Sequence, residues 1–143
     1  MAIKRRRALV SGLTFGVLCQ VACSFAFAIS PTGQLDQSVV FRLYDIDRQK
    51  PYEAKLTRFM VLELNGADKG TMMWHLEGGS RATETVTYGQ TPPGLRELMP
   101  AKPLTKGSSY RVFAQASGPS GAGSAVKDFM IDGNGTVQAD SRR

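Results

Sequence analysis

Hydrophobic and polar residues alternate after residue 37, in short runs that turn residues separate. Alternation places successive side chains on opposite faces of a strand, so Val39, Phe41 and Leu43 share one face of the first run. Runs of this kind cover Ser38–Tyr44, Lys55–Leu64, Thr71–Glu77, Thr83–Tyr88, Ser109–Ala116 and Val126–Ile131. Short strands at spacings of about ten residues predict an all-β fold, in the form of a single antiparallel β-sandwich.

The third run predicts the large residue of the core. Trp74 shares a face with Met72 and Leu76, whereas His75, the only histidine, points to the opposite face. A single histidine does not make a closed zinc site, and no Gly-x-Ser-x-Gly motif marks a nucleophile for it to activate. We therefore expect no catalytic residues, no metal site and no cofactor.

The segment Gln90–Pro103 interrupts the alternation with several prolines. Proline cannot donate a backbone hydrogen bond to a sheet, which predicts a crossing loop or an irregular edge that Leu95 and Leu98 pin to the core. A stiff loop with apolar and aromatic side chains is also a candidate partner-binding surface. The residues predicted to form that surface are Tyr88, Thr91, Pro92, Pro93 and Leu95; the alternative is a purely structural crossover.

Two other patterns have structural explanations. The acidic groups Asp45/Asp47 and Asp128/Asp132/Asn134 offer oxygen ligands, but the spacing of a calcium loop is missing, and Asx turns account for these residues. The stretch Ser117–Ser124 is rich in glycine and serine without the Gly-Lys-Ser/Thr ending of a phosphate loop. It predicts a mobile hairpin loop.

The first 28 residues read as a secretory signal peptide helix. Lys4–Arg7 is positively charged, Ala8–Phe27 is uncharged and apolar, and Ala26 and Ala28 supply small residues at −3 and −1 of a cleavage site. Cleavage after Ala28 is the preferred prediction, and cleavage after Ala26 is the alternative. The regions then expected are a flexible lead-in over 29–37, the sandwich over 38–137 and a disordered tail over 138–143.

Other fates of the export segment stay open. The apolar run is long enough to remain as an uncleaved membrane anchor. Cys23 is a candidate for lipidation after cleavage at Ala22, although Gln20 stands where a lipobox usually has leucine. The pair Arg6-Arg7 loosely matches a twin-arginine signal, so the export route is also open. Membrane contact is expected only through this segment.

The charge of the mature chain argues against nucleic acid as a partner. The full chain has a net charge of +6, but four of its 18 Lys and Arg residues lie in Lys4–Arg7. The remaining 14 basic residues face 12 acidic ones, interspersed in sign. A nucleic-acid binder usually keeps a basic stripe on its folded surface, and this sequence has none.

A local motif resembles a known fold family. Leu104, a turn glycine at Gly107 and Tyr110 precede an alternating strand, and the stretch Leu104–Ala114 resembles the tyrosine corner of fibronectin type III and related immunoglobulin-like sandwiches. The resemblance implies an immunoglobulin-like sandwich in which the Tyr110 hydroxyl bonds to the backbone a few residues upstream.

A second resemblance concerns the C-terminal half of the mature chain. Tyr88–Gly94, Pro100–Leu104, Gly107 and Tyr110 look like segments of a group of small uncharacterised exported proteins from Gram-negative bacteria. The resemblance implies a location in the cell envelope, and no functional residue transfers from it.

We therefore expect a non-enzymatic exported protein, periplasmic or secreted, that binds another envelope protein or surface component. An accessory subunit of an envelope complex and an inhibitor of a lytic enzyme both fit this description. Two alternatives remain open: a membrane-tethered structural module and a small periplasmic hydrolase.

Overall fold

The computed structural model describes residues 26–65, 70–118 and 121–141, so the predicted signal peptide lies outside the described residues up to residue 25. The described residues form β-strands and turns. The strands are β1 (Phe27–Gln34), β2 (Ser38–Asp45), β3 (Lys50–Pro51), β4 (Ala54–Leu64), β5 (Gly70–Gly78), β6 (Ala82–Thr83), β7 (Thr85–Thr87), β8 (Leu95–Met99), β9 (Ser109–Gly118), β10 (Gly121–Ile131) and β11 (Val137–Ala139).

The strands form two antiparallel sheets. The small sheet has the order β1-β2-β3, with β7 paired to β2 beside β3. The large sheet has the order β11-β10-β9-β4-β5-β8, with β6 paired to β4. This arrangement confirms the all-β, sandwich-like class that the alternation predicts.

The core lies between the inner faces of the two sheets. Phe41 of the small sheet contacts Phe59 and Phe129 of the large sheet, with ring centroids 5.3 and 5.5 Å apart. Val39 and Leu43 are buried beside Phe41, on the face that the sequence predicts. Burial of each such side chain contributes about 1.5–3 kcal/mol before the entropy of ordering is subtracted.

The first strand lies where the sequence predicts a flexible lead-in over 29–37. β1 pairs with β2 along its whole length, from Phe27 opposite Asp45 to Gln34 opposite Ser38. The sequence pattern does not predict this strand because Pro31 and Gly33 interrupt it. Its inward residues Phe27 and Ile29 are nevertheless buried, and each is 2% exposed. An edge strand tolerates proline, since one side of it has no ladder to complete.

A β-bulge changes the face assignment in β5. Leu62 pairs with Met72 and Val61 pairs with Trp74, so Met73 is the extra residue of the bulged strand. Met73 is therefore buried with Trp74, and Met72 moves to the outer face, contrary to the predicted set of Met72, Trp74 and Leu76. One inserted residue shifts the alternation by one position, which a pattern of period two does not reveal.

Three C-terminal assignments also differ from the sequence-based expectations. The predicted mobile loop Ser117–Ser124 is mostly strand, because β9 and β10 pair out to Gly118 opposite Gly121. Leu98 is 47% exposed and does not pin the proline segment to the core. The predicted tail contributes residues to β11, which pairs with Phe129–Ile131 of β10.

Within residues 26–65, 70–118 and 121–141, no helix has the length and apolar character needed to cross a membrane.

Candidate binding surface

Two of the five residues predicted to bind a partner, Tyr88 and Leu95, are half-buried and pack against the core. The Tyr88 ring packs edge-on against Trp74, with centroids 5.2 Å apart, and its hydroxyl donates to the Lys102 carbonyl at 2.7 Å. Burial is the main cause that raises the pKa of Tyr88 above its usual range. Leu95 packs against the hydrophobic core. Both side chains therefore stabilise the fold.

The other three predicted residues lie on a tightly bonded turn. Thr91 and Pro93 are exposed and Pro92 is half-buried. The Pro92 carbonyl accepts the amide of Leu95 at 3.1 Å, and the Pro93 carbonyl accepts the amide of Arg81 at 3.2 Å. The segment is thus a crossing between β7 and β8, and Thr91 and Pro93 are the members of the predicted surface that it exposes.

Trp74 links this crossing to the core. Its side chain is fully buried, its ring contacts Phe59 at 5.7 Å, and its Nε1–H donates to Glu97 Oε2 at 2.8 Å. Because Glu97 lies on β8, one hydrogen bond ties the side chain of the central tryptophan to the edge strand. The Thr91 hydroxyl approaches the same carboxylate oxygen at 3.5 Å.

Tyr110 makes the kind of bond that the tyrosine-corner resemblance implies. Its ring is fully buried, stacked on Phe129 at 5.4 Å, and its hydroxyl accepts the backbone N–H of Thr105 at 2.8 Å. Thr105 lies five residues upstream, so this bond fastens the turn before β9 to the strand itself.

An apolar row crosses the outer face of the large sheet. Strand register places Val126 opposite Phe113, Phe113 opposite Met60, Met60 opposite His75, and His75 opposite Met99. One row therefore spans β10, β9, β4, β5 and β8, with His75 its single polar member. Val126 is 55% exposed, and the other members are half-buried.

Further apolar side chains widen this row into a patch. Leu62 and Met72 pair next to Met60 and His75, and Met130 is 41% exposed on β10. None of these half-buried outer residues belongs to the set that packs against the core. We define the outer patch as Met60, Leu62, Met72, Met99, Phe113, Val126 and Met130. Methionine is flexible and polarisable, which suits adaptable contact surfaces.

One charged pair lies within the outer patch and another lies beside it. Arg111, opposite Leu62, forms two hydrogen bonds to Asp128, at 2.7 and 2.9 Å, and this partnership lowers the pKa of the Asp128 carboxyl. The pair separates Met130 from Val126 on β10. Beyond the other edge of the row, Glu77 Oε1 lies 3.0 Å from Arg58 and 3.1 Å from His75 Nε2. The basic residues Arg111 and Arg58 on this face are therefore each paired with a carboxylate.

The outer face of the small sheet has a different composition. Arg42 is exposed on this face, and the half-buried residues beside it are mostly polar or amphipathic: Ser30, Thr32, Val40, Tyr44 and Thr87. An open cleft of about 410 Å³ lies on this face. Its lining mixes cationic, anionic and hydroxyl groups and includes Arg42, Lys50, Glu84 and Thr85.

Two residues of the predicted acidic groups, Asp45 and Asp132, cap turns. Asp132 Oδ1 accepts the amides of Asn134 and Thr136, each at 2.9 Å, and Asp45 Oδ1 accepts the amides of Asp47 and Arg48 at 2.9 and 3.1 Å. In the part of the chain that the structure describes, no three His, Cys, Asp or Glu side chains are grouped to hold a metal ion.

No protein-family model, curated protein or solved structure matches this chain.

A signal for the outer patch is present in the sequence. Phe59-Met60-Val61-Leu62 in β4 is apolar at four consecutive positions, so both faces of that strand carry apolar side chains. A strand with one solvated face normally alternates with polar residues. Consecutive apolar residues in a sheet exposed on one side thus indicate a second contact surface.

Proposed function

We propose that the protein is a non-enzymatic, exported binding module of the cell envelope, and that it binds another protein through the outer patch. The apolar row on the large sheet is the observation that carries this proposal. Large exposed apolar patches framed by polar residues mark interaction sites on otherwise soluble domains.

The extent of the patch sets the size of the proposed contact. The row crosses five strands about 4.8 Å apart, which is about 19 Å, and the patch extends over about three residues, or about 10 Å, along β4. It therefore covers on the order of 200 Å². Stable complexes bury about 800 Å² per partner, so the contact has to include the polar surface around the patch.

The paired charges on this face indicate what kind of partner surface the patch can bind. Because Arg111 is paired with Asp128 and Arg58 with Glu77, the face offers no uncompensated row of cations for phosphates. The expected partner is therefore a protein with a near-neutral surface and a ridge of aliphatic or aromatic side chains. We assign this role within an immunoglobulin-like sandwich, for which the Tyr110–Thr105 bond is the supporting detail.

Site-specific crosslinking in the host tests the proposal. A photoreactive amino acid replaces Val126 on the outer patch in one variant and Val40 on the outer face of the small sheet in a matched control. We expect one defined partner to be crosslinked from position 126 and not from position 40. The partner, once purified, should bind the wild-type protein, and Phe113→Ser should weaken that binding at least tenfold without changing the thermal midpoint.

Three results would contradict the proposal. One is equal crosslinking from positions 126 and 40, and another is full binding by the folded Phe113→Ser variant. The third is a crosslinked product that contains only two copies of this chain, which would make the outer patch a homodimer interface.

A further inference from the structure

The first strand begins inside the region that the sequence assigns to the export signal. Phe27 is 2% exposed and belongs to the hydrophobic core, and its ring stacks on Tyr52 with centroids 6.1 Å apart. In the β1–β2 ladder, Phe27 pairs with Asp45 and Ala28 pairs with Tyr44. Ala26, directly before the strand, is exposed.

The two candidate cleavage sites therefore leave different domains. Cleavage after Ala28 removes Phe27 and Ala28, which shortens β1 by two pairs and removes the Phe27 ring that stacks on Tyr52. Cleavage after Ala26 keeps the whole strand and places the new amino terminus at its first residue. Loss of a buried phenylalanine is among the most destabilising changes a core can undergo.

We propose that the signal peptidase cuts the Ala26–Phe27 bond, so that Phe27 is the first residue of the mature protein. This inference rests on the proposed export. Ser24 and Ala26 supply the small residues that the enzyme needs at −3 and −1 of this site. The reaction is hydrolysis of one peptide bond, in which water provides the hydroxyl of the Ala26 carboxyl group and the proton of the Phe27 amine.

The N-terminus of the exported protein tests the inference directly. The full chain is expressed in a Gram-negative host, and the exported fraction is analysed by intact mass and N-terminal sequencing. We expect a chain that begins with Phe27. A chain that begins with Ile29 would overturn the inference while leaving export intact, and the two products differ by the mass of one phenylalanine and one alanine residue.

Other processing outcomes also overturn the inference. A retained, uncleaved segment in the membrane fraction, or a lipid-modified Cys23, would assign the protein to a tethered form. An uncleaved chain that stays in the cytoplasm would contradict the proposed export itself. The cell fraction in which the chain is found separates these failures from a simple shift of the cleavage site.

Two matched substitutions distinguish cleavage after Ala26 from cleavage after Ala28. Ser24→Leu removes the small −3 residue of the Ala26 site alone, and Ala28→Leu removes the small −1 residue of the Ala28 site alone. We expect Ala28→Leu to be processed like the wild type, and Ser24→Leu to accumulate precursor or an Ile29-starting product. The opposite pattern would overturn the inference.

The stability of the two cleavage products tests the structural reason for the proposed cleavage site. The Ile29-starting chain obtained from Ser24→Leu should unfold at a lower urea concentration than the Phe27-starting chain, because it lacks the buried ring. Equal unfolding midpoints would show that Phe27 does not support the fold, and this would remove the basis of the inference.

Discussion

At the residue scale, Tyr110 shows how one polar atom in the core fixes the path of the chain. Its ring is 0% exposed, yet its hydroxyl reaches the Thr105 amide at 2.8 Å and the Thr105 hydroxyl at 3.3 Å. The bond is part-buried, and an intramolecular hydrogen bond contributes about 0.5–1.5 kcal/mol, so this one stabilises the turn before β9 by satisfying the Thr105 amide.

Tyr110→Phe is expected to lower the free energy of unfolding by about 1–2 kcal/mol, because the Thr105 amide loses its acceptor while the ring packing remains. Urea denaturation measures the change. Tyr44→Phe, at a half-buried outer position of the small sheet, is the matched control and should change stability by no more than about 0.5 kcal/mol. Equal effects of the two substitutions would mean that the hydroxyl of Tyr110 has no structural role.

Asp132 makes the stability of the fold depend on pH in the acid range. The N–H of Thr136 is the main cause that lowers the pKa of this carboxyl, with further hydrogen bonds from Gln138, Asn134 and Gly135. The pKa of Asp132 in the folded protein lies below its unfolded value of about 3.9. The ionised carboxyl therefore stabilises the fold above about pH 3.9, and this stabilisation is lost as the pH falls from there towards the folded pKa.

Asp132→Asn keeps the Oδ1 acceptor of the turn but removes its titration. We expect the drop in urea midpoint between about pH 6 and about pH 3 to be smaller in this variant than in the wild type. Asp128, whose pKa is also lowered, still titrates in the variant and leaves a residual drop. Asp36→Asn, in the exposed β1–β2 turn, is the control, and an identical pH profile for Asp132→Asn and the wild type would refute the assignment.

At the scale of elements, the crossing between β7 and β8 is held by backbone contacts as well as by side chains. Gly94 has a φ of +91°, and its carbonyl accepts a hydrogen bond from the Gly79 amide at 3.2 Å. A Cβ atom at Gly94 would lie 2.2 Å from the Gly79 carbonyl oxygen. The approach of these two turns sets the position of β8 at the sheet edge, where Glu97 accepts the Trp74 bond.

Gly94→Ala is therefore expected to destabilise the protein by about 2–4 kcal/mol, through the positive φ and the backbone clash together. The control is Gly133→Ala, where an added Cβ meets nothing within 4 Å among the described residues and the change should be within about 1 kcal/mol. Thermal unfolding of both variants provides the comparison. A Gly94→Ala protein as stable as the control would show that the two turns readily move apart.

At the scale of the whole molecule, the two sheets differ in what they show to solvent. The small sheet exposes hydroxyl and charged groups, whereas the large sheet exposes the outer patch. Four of the six methionines of the chain, at positions 60, 72, 99 and 130, belong to that patch. This asymmetry is the reason for which we propose the outer patch, and not the small sheet, as the contact face.

A matched pair of valine substitutions tests the asymmetry. Val126→Lys should reduce retention on a hydrophobic column and weaken partner binding, while its thermal midpoint stays close to that of the wild type because the side chain is already 55% exposed. Val40→Lys, on the outer face of the small sheet, should leave partner binding unchanged. Loss of binding in both variants, or in neither, would be inconsistent with the outer patch as the contact surface.

The sequence by itself determined the strands with regular alternation and much of the inner face. Val39, Phe41 and Leu43, and likewise Tyr110, Val112 and Ala114, occupy the buried positions that a period of two assigns to them. The Asx turns at Asp45 and Asp132 were also readable, because their hydrogen bonds are local. Local chemistry and strict periodicity are the features that a sequence carries without knowledge of the fold.

Only the tertiary structure decided the remaining features, because each depends on pairing between distant segments. The bulge at Met73 appears only when β5 is set against β4, and β1 becomes a strand only when β2 is beside it. Tyr88, a predicted contact residue, is half-buried and packs against the core because the pairing of the strands places Trp74 beside its ring. The outer patch likewise requires five strands in register. Its residues lie on separate strands, and only the pairing of those strands places them side by side.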